Sequence, residues 1–212
     1  MRSTGNSKSA RYEKLVNNWK HCTRCAIGKL ASNHVFGKGP LDSPLLFLGE
    51  APGKTEDETG VPFNGPAGDM LNEVLRACGI PPDAVFITNP VCCRPVQVPT
   101  NLNRVPTPSE LQNCLPRLLE TFRIVAPVSV VLLGKTAEYH WVTTLREDEM
   151  ILATVKSHLF LYHPSYLLRT GGKKSAYYDD TVRTLGWFLR GSGITAASLP
   201  SVPIKKRKGA KK

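Results

Sequence analysis

Runs of apolar residues alternate along the chain with segments in which apolar residues recur every three or four positions. Four short runs predict buried strands, at about residues 44–49, 84–89, 128–133 and 159–162. The three- and four-residue spacing predicts helices over about 11–20, 66–78, 135–142 and 175–190, and a further helix that opens at 108. Residues 94–107, which hold several prolines and asparagines, predict a surface loop.

Strands and helices therefore alternate, and the strands are apolar on both faces. This pattern predicts an α/β fold in which helices cover both faces of a parallel sheet. In such sheets the ligand site lies beyond the carboxyl ends of the strands. Three predicted strands end in chemically distinctive residues, namely Gly49-Glu50, Asn89 and His163. We therefore expect a site where these residues converge.

Each residue at this expected site has a functional and a structural interpretation. The Asn89 amide offers one acceptor and two donors, which suits the edge of a nucleobase, but asparagine before proline also forms turns. The proline after His163 holds the histidine extended, so its ring can point away from the strand end or stabilise a turn. Phe63 is a candidate for stacking on a flat ligand and equally for packing in the core. Together these residues predict a polar reader, a donor and a stacking ring at one rim.

The first predicted strand leads into an acidic, glycine-rich turn, GEAPGKTEDETGVPF, at residues 49–63. Its carboxylates belong to Glu50, Glu56, Asp57 and Glu58. The turn lacks the Lys-Ser/Thr ending of a nucleotide-binding loop and the alternating acidic spacing of a calcium loop. We therefore favour carboxylates that act on a water molecule over a phosphate or calcium site.

The charge of the chain points to its partner. Lysine and arginine outnumber aspartate and glutamate by 28 to 17, which leaves a formal net charge of +11. A balance this basic predicts a polyanion, most often nucleic acid. Part of the excess lies in residues 205–212, which are interpreted as a solubilising end, a DNA-binding extension or a nuclear address.

The 212 residues predict one domain over 11–190, with a disordered start at 1–10 and a flexible basic tail at 191–212. The sequence shows neither a long apolar segment nor a secretory signal, so we expect no membrane partner. We expect a cytoplasmic or nucleoid-associated protein.

The cysteines predict a metal or cluster site. They are Cys22, Cys25, Cys78, Cys92, Cys93 and Cys114. Without a secretory signal, ligation is favoured over disulfides, and a Cys22–Cys25 pair with two distant thiolates suits zinc or an iron–sulfur cluster. A redox CxxC pair is the alternative. Because successive side chains diverge in an extended segment, we expect only one of Cys92 and Cys93 to ligate.

Six motifs occur in order across residues 11–190: CTRC, LFLGEAPGKTEDETGVPFNGPAGDML, VFITNPVCCRPV, PTPSELQNC, VVLLGKTA and HPSYLLR. In order and spacing they resemble the uracil-DNA glycosylase superfamily, specifically its iron–sulfur family 4 enzymes of bacteria, archaea and phages. The resemblance implies a three-layer α/β/α fold around a four-stranded parallel sheet. It also implies a structural [4Fe-4S] cluster on Cys22, Cys25, Cys93 and Cys114. The usual VKCRP of the family reads VCCRP here, so Cys92 replaces a common lysine and stays open as an alternate ligand.

The activity implied by the resemblance is hydrolysis of the N-glycosidic bond of deoxyuridine in DNA, by a monomer that acts on single or double strands. Phe63 would stack on the flipped base, Asn89 would read it, and His163 would donate a hydrogen bond to the uracil O2. The loop from Ser165 to Arg169 would wedge into the duplex. Either Leu167 or Leu168 would fill the vacated space.

Two departures bear on this activity. The best-known branch of the superfamily carries a water-positioning aspartate where this chain has Ala51, so we expect Glu56 to orient the water or stabilise the sugar cation while Glu50 shapes the pocket. Where that branch places a tyrosine against the thymine methyl group, this chain has Gly53, which predicts tolerance of C5-substituted uracils. A non-catalytic DNA-binding or damage-sensing relative with the same fold and cluster is the alternative function.

Overall fold

The structure of the protein, a computed structural model, describes residues 7–201. Residues 1–6 and 202–212 lie outside this range. The basic segment at 205–212 and most of the predicted disordered start therefore lie outside the described residues.

Nine helices and six strands make up the described part of the chain. The helices are α1 (Lys8–Trp19), α2 (Ala26–Leu30), α3 (Lys54–Thr59), α4 (Pro66–Ala77), α5 (Pro108–Val125), α6 (Lys135–Thr143), α7 (Glu149–Thr154), α8 (Pro164–Arg169) and α9 (Ala176–Gly191). The strands are β1 (Leu45–Leu48), β2 (Phe86–Thr88), β3 (Val96–Gln97), β4 (Leu102–Asn103), β5 (Ser129–Leu133) and β6 (Ser157–Leu161). None of the described helices has the length and hydropathy needed to cross a bilayer.

The four predicted strands form one parallel sheet in the order β2-β1-β5-β6. Phe47 of β1 lies opposite Ile87 of β2 on one side and Val131 of β5 on the other. On the far side of β5, Leu132 lies opposite Phe160 of β6. The α/β fold with a four-stranded parallel sheet is therefore confirmed, and all four carboxyl ends meet at one edge.

Strand β1 shows how the sheet divides the core into two layers. Leu45 and Phe47 face a cluster that α4 and α9 complete, whereas Leu46 and Leu48 face a cluster that α5 and α6 complete. All four side chains are fully buried. Uninterrupted apolar strands are stable here because helices cover both faces of the sheet.

Several segments are more regular than the sequence patterns predict. The predicted loop at 94–107 contains an antiparallel hairpin of β3 and β4, whose strands are too short for an alternation pattern to show. The acidic turn contains α3, and the predicted wedge loop contains α8. Helix α1 begins at Lys8, three residues before its predicted start, because the Ser7 hydroxyl accepts the Ala10 N–H as an N-cap.

Candidate active site

The carboxyl ends of β1, β2 and β6 open into one cavity of about 300 Å³. Every residue that the sequence predicts at these strand ends either lines this cavity or supports its wall. The lining includes Glu50, Ala51, Gly53, Glu56, Phe63, Asn89, His163, Ser165 and Arg169. The parallel arrangement of the strands thus brings together residues that are more than 100 positions apart in the chain.

Asn89 and Phe63 meet over Gly49. Asn89 is 2% exposed, and its Oδ1 atom has no hydrogen-bond partner among the described residues. A Cβ atom at Gly49 would lie 2.3 Å from that oxygen and 2.6 Å from the Phe63 ring. Only glycine therefore allows this approach. A buried amide oxygen without a partner is costly unless a ligand supplies the missing donor.

The backbone of Phe63 is held in a strained conformation, with φ at +50°. The Lys38 Nζ atom donates to the Phe63 carbonyl oxygen at 2.9 Å. A Cβ atom at Gly68 would lie 2.0 Å from the same oxygen, so the start of α4 packs directly on it. Strain in a bulky residue persists where surrounding contacts impose it, and such residues cluster at binding sites.

His163 is held in one neutral tautomer. Its Nδ1 atom accepts the Ser165 backbone N–H at 3.2 Å and lies 2.8 Å from the Ser165 hydroxyl. Because a backbone N–H can only donate, Nδ1 carries no proton and Nε2 is the donor. Burial lowers the pKa of His163 from its usual 6.5; Arg169 acts in the same direction, whereas Glu50 and Glu56 oppose it. The ring is therefore neutral at pH 7 and offers an N–H.

Glu56 organises the floor of the cavity. Its Oε2 atom accepts the Gly53 N–H at 3.0 Å, and its Oε1 atom accepts the N–H groups of Asn64 and Gly65, each at 3.1 Å. One carboxylate thus joins the start of α3 to the segment that carries Phe63. The Glu50 carboxylate is freer. It makes one hydrogen bond with a described side chain, in which the Thr136 hydroxyl donates to Oε2 at 2.6 Å.

The other two carboxylates of the acidic turn lie outside the cavity. Asp57 is buried, and its Oδ1 atom accepts the backbone N–H groups of Ser32 and Asn33 at 3.1 and 3.4 Å. It thereby fastens α3 to the loop that follows α2. Glu58 is exposed and lies 3.9 Å from Lys54. Two carboxylates of the four face the cavity, and Asp57 has a structural role.

Helix α8 carries the predicted wedge. Leu167 is fully buried in the core, whereas Leu168 is 39% exposed. The two leucines that the sequence left open therefore differ, and Leu168 is the one available to a partner. Arg169 ends the helix, and its Nη1 atom lies 3.4 Å from the Ser165 hydroxyl.

Two polar residues of the cavity lining, Asn103 and Arg104, were missed in the sequence. The hairpin of β3 and β4 places them there. Arg94, which is mostly buried, donates from Nε to the Asn103 Oδ1 atom at 2.6 Å, and Arg104 forms a bidentate ion pair with Glu110 at 2.6 and 2.8 Å. The adjacent Asn-Arg pair before the proline-rich start of α5 was the available signal.

A wider groove of about 1100 Å³ adjoins the cavity and shares Glu50, His163, Ser165 and Arg169 with it. Exposed aromatic residues line its far side, among them Tyr139 and Tyr162. Tyr162 stacks on Tyr166 of α8, with ring centroids 5.3 Å apart. The cavity is therefore the deep end of a longer surface depression.

Five cysteines line a separate small cavity: Cys22, Cys25, Cys92, Cys93 and Cys114. The Cys92 Sγ atom lies 3.8 Å from that of Cys93 and 3.7 Å from that of Cys114. Among residues 7–201, no three His, Cys, Asp or Glu side chains have the spacing of ligands to a single metal ion. Hydrogen bonding to Cys92 and burial raise the pKa of Cys114 well above its usual value. Thiols in this environment need a cation to become thiolates.

The buried charge of Arg117 bears on whether an iron–sulfur group fits these cysteines. Its guanidinium is 1% exposed, and Nη2 lies 3.8 Å from the Cys114 Sγ atom. The ion pairs formed by the described residues do not include Arg117, and its Nε atom has no partner there. A buried cation is stable only near negative charge. Thiolate ligands would supply that charge, so the donor set fits the group.

Comparison with known proteins agrees with this architecture. The model of the uracil DNA glycosylase superfamily matches residues 36–186. A type-4 uracil-DNA glycosylase of Thermotoga maritima is 41% identical over 157 residues, which cover 71% of this chain and 79% of that protein. Those of Pyrobaculum aerophilum and Archaeoglobus fulgidus are 32% and 30% identical; the matches cover 82% and 79% of this chain, and 93% and 88% of those proteins.

Proposed function

Because the chain belongs to the uracil DNA glycosylase superfamily, in its type-4 branch, we propose that it hydrolyses the N-glycosidic bond of deoxyuridine in DNA and leaves an abasic site. The observation that carries the proposal is the buried Oδ1 atom of Asn89, which has no hydrogen-bond partner among residues 7–201 and shares one cavity with Phe63 and His163. A flat base with an N–H and carbonyl groups satisfies all three residues. The base must be flipped out of the DNA stack to enter.

Phe63 and Asn89 bind the base. The Phe63 ring stacks on one face of uracil, and the Asn89 Oδ1 atom accepts the N3–H of the base. The donor end of the same amide suits the O4 atom. Thymine offers the same edge, so the amide alone does not exclude it, and exclusion depends on the space around C5.

His163 stabilises the leaving group. Its Nε2–H donates to the uracil O2 atom, where negative charge grows as the glycosidic bond breaks. The neutral ring keeps this proton because Nδ1 is engaged by Ser165. A donor fixed before the reaction needs no reorganisation in the transition state, and removing such a donor costs about 10²–10³-fold in rate.

Glu50 and Glu56 have different roles at this site, where Ala51 stands in place of the water-positioning aspartate of the best-known branch. The oxygens of Glu56 already accept three backbone N–H groups, so we assign it the positioning of the pocket floor. Glu50 has the freer carboxylate and faces the same cavity. We therefore reverse the two roles expected from the sequence and assign to Glu50 the orientation of the water and the stabilisation of the sugar cation.

The DNA partner lies along the groove that adjoins the cavity. Leu168 fills the space left by the flipped base, and Arg169 contacts a phosphate beside it. The net charge of +11 favours this polyanion over other partners. We expect a monomer to act on single- or double-stranded DNA.

Asn103 limits tolerance at C5. A Cβ atom at Gly53 would lie 2.7 Å from the Glu56 Oε2 atom and 3.7 Å from the Asn103 Nδ2 atom, so Asn103 together with Glu56 fills part of the space that a tyrosine would otherwise occupy. We propose that substituents of a few atoms still enter. Uracil and 5-hydroxymethyluracil should both be released from matched oligonucleotides, and undetectable release of the modified base would count against this tolerance.

A [4Fe-4S] cluster on Cys22, Cys25, Cys114 and the Cys92-Cys93 segment is the cofactor that the cysteine cavity suits. When bound it would have a structural role, because Cys22 and Cys25 before α2, the Cys92-Cys93 segment after β2 and Cys114 of α5 would all be held by one group. Arg117 extends from these cysteines to the carbonyl oxygens of Asn89 and Pro90, at 2.8 and 2.6 Å. The same guanidinium therefore braces the base reader. A brown protein with broad visible absorption favours iron–sulfur over zinc.

The proposal is tested on a labelled oligonucleotide with one uracil. After incubation and alkali treatment we expect cleavage at the uracil position, none with a cytosine control, whose donor and acceptor groups are reversed on this edge, and a loss of about 100-fold or more for His163→Ala. A non-catalytic relative would shift the oligonucleotide in a binding assay and leave it uncut. That result would replace the proposed function by the alternative.

A further inference from the structure

The two adjacent cysteines of the chain both face the cysteine cavity. In an extended segment, which the sequence predicts here, their side chains would diverge. Cys92 and Cys93 lie in a bend after β2 rather than in a strand, and the Cys92 carbonyl oxygen accepts the Val35 N–H at 2.6 Å. Cys92 and Cys93 are 1% and 4% exposed. The expected divergence is wrong because the bend turns both thiols to the same side.

This arrangement puts five thiols around a site that takes four. Cys22 and Cys25 come from the segment before α2, and Cys114 comes from α5. The remaining ligand must come from the bend. Within it, Cys92 occupies the central place, since its Sγ atom is within 3.8 Å of both Cys93 and Cys114.

On the basis of the cluster proposed above, we propose that Cys92 and Cys93 are interchangeable ligands. Either thiolate alone then completes the iron–sulfur site. The loss of one cysteine leaves the other within the same cavity, at the cost of a rotation about one or two side-chain bonds. The Arg117 guanidinium beside Cys114 supplies positive charge to the buried thiolates.

Iron and acid-labile sulfide content per chain test the proposal, together with visible absorption of the purified protein. Cys92→Ala and Cys93→Ala should each retain close to the wild-type iron content. The double variant and Cys114→Ala should lose at least about ten-fold. Cys78→Ala is the matched control, because Cys78 lies outside this cavity and its thiol donates to the Val182 carbonyl oxygen at 3.4 Å.

Each other outcome overturns the proposal. If Cys93→Ala lacks iron while Cys92→Ala retains it, Cys93 is the sole ligand. If Cys92→Ala lacks iron while Cys93→Ala retains it, Cys92 is the sole ligand. Cys92→Ser and Cys93→Ser control for packing defects caused by the alanine substitutions. The proposed interchange is rejected if, at either position, neither the alanine nor the serine variant retains iron. A wild-type protein without iron refutes the cluster itself. Uracil release, measured separately, reports on the proposed activity, so the two failures are distinguishable.

Discussion

Replacing Glu56 by glutamine tests whether this carboxylate holds the floor of the pocket. The glutamine side chain has nearly the same shape but carries one oxygen and one NH₂ group. If the glutamine oxygen still accepts the Asn64 and Gly65 N–H groups, its NH₂ group faces the Gly53 N–H, so that two hydrogen-bond donors oppose each other. The variant therefore loses a charge-assisted hydrogen bond and weakens two others. Hydrogen bonds to charged groups contribute about 1.5–3 kcal/mol each, so we expect a loss of about 2–4 kcal/mol.

Thermal unfolding measures this loss. In a domain of this size 1 kcal/mol corresponds to about 2–4 °C in Tm, so Glu56→Gln should lower Tm by about 5–15 °C. Glu58→Gln is the control in the same helix. Its ion pair with Lys54 spans 3.9 Å between side chains that are 60% and 70% exposed, which predicts about 0.5 kcal/mol or less. A Glu56→Gln protein that melts within about 2 °C of the wild type would refute the reasoning.

Changes at Gly49, His163 and Leu168 perturb three separate features of the site. Gly49→Ala should lower uracil release by about 100-fold, because the new methyl group displaces Asn89 and Phe63; kinetics within about three-fold of wild type would show that the approach is not required. Because burial lowers the pKa of His163, the unfolded state takes up this proton first as the pH falls. The contribution of His163 to stability is thus complete above pH 6.5 and is lost below it, and an imidazole midpoint at or above 6.5 in an NMR titration would contradict this. Leu168→Ala should reduce release from duplex DNA by about ten-fold and from single strands far less, because only the duplex leaves a gap to fill; equal losses on both substrates would remove the wedge role.

The sheet could be predicted from the sequence because each strand carries its own evidence. Runs such as 128–133 are apolar throughout, and only burial on both faces stabilises them. The convergence of Asn89 and His163 followed from parallel topology alone. In contrast, the hairpin of β3 and β4 has two-residue strands, which leave no periodic signal.

The roles of individual side chains depend on contacts that the sequence does not record. Leu167 and Leu168 are the same residue type, and only packing separates the buried one from the exposed one. Glu56 and Glu50 are both acidic residues of one turn. The Gly53 amide points at Glu56 because α3 begins at Lys54. The Asn64 and Gly65 amides come from the segment before α4, and no pattern along the chain predicts where they lie.

Mass spectrometry of a single-uracil oligonucleotide after incubation with the protein tests the central claim most directly. We predict free uracil and an abasic oligonucleotide in equal amounts, with both products strongly reduced for Asn89→Ala and absent with a cytosine control. An oligonucleotide of unchanged mass, bound by folded and iron-loaded protein, would contradict the claim that the Asn89 pocket releases uracil from DNA.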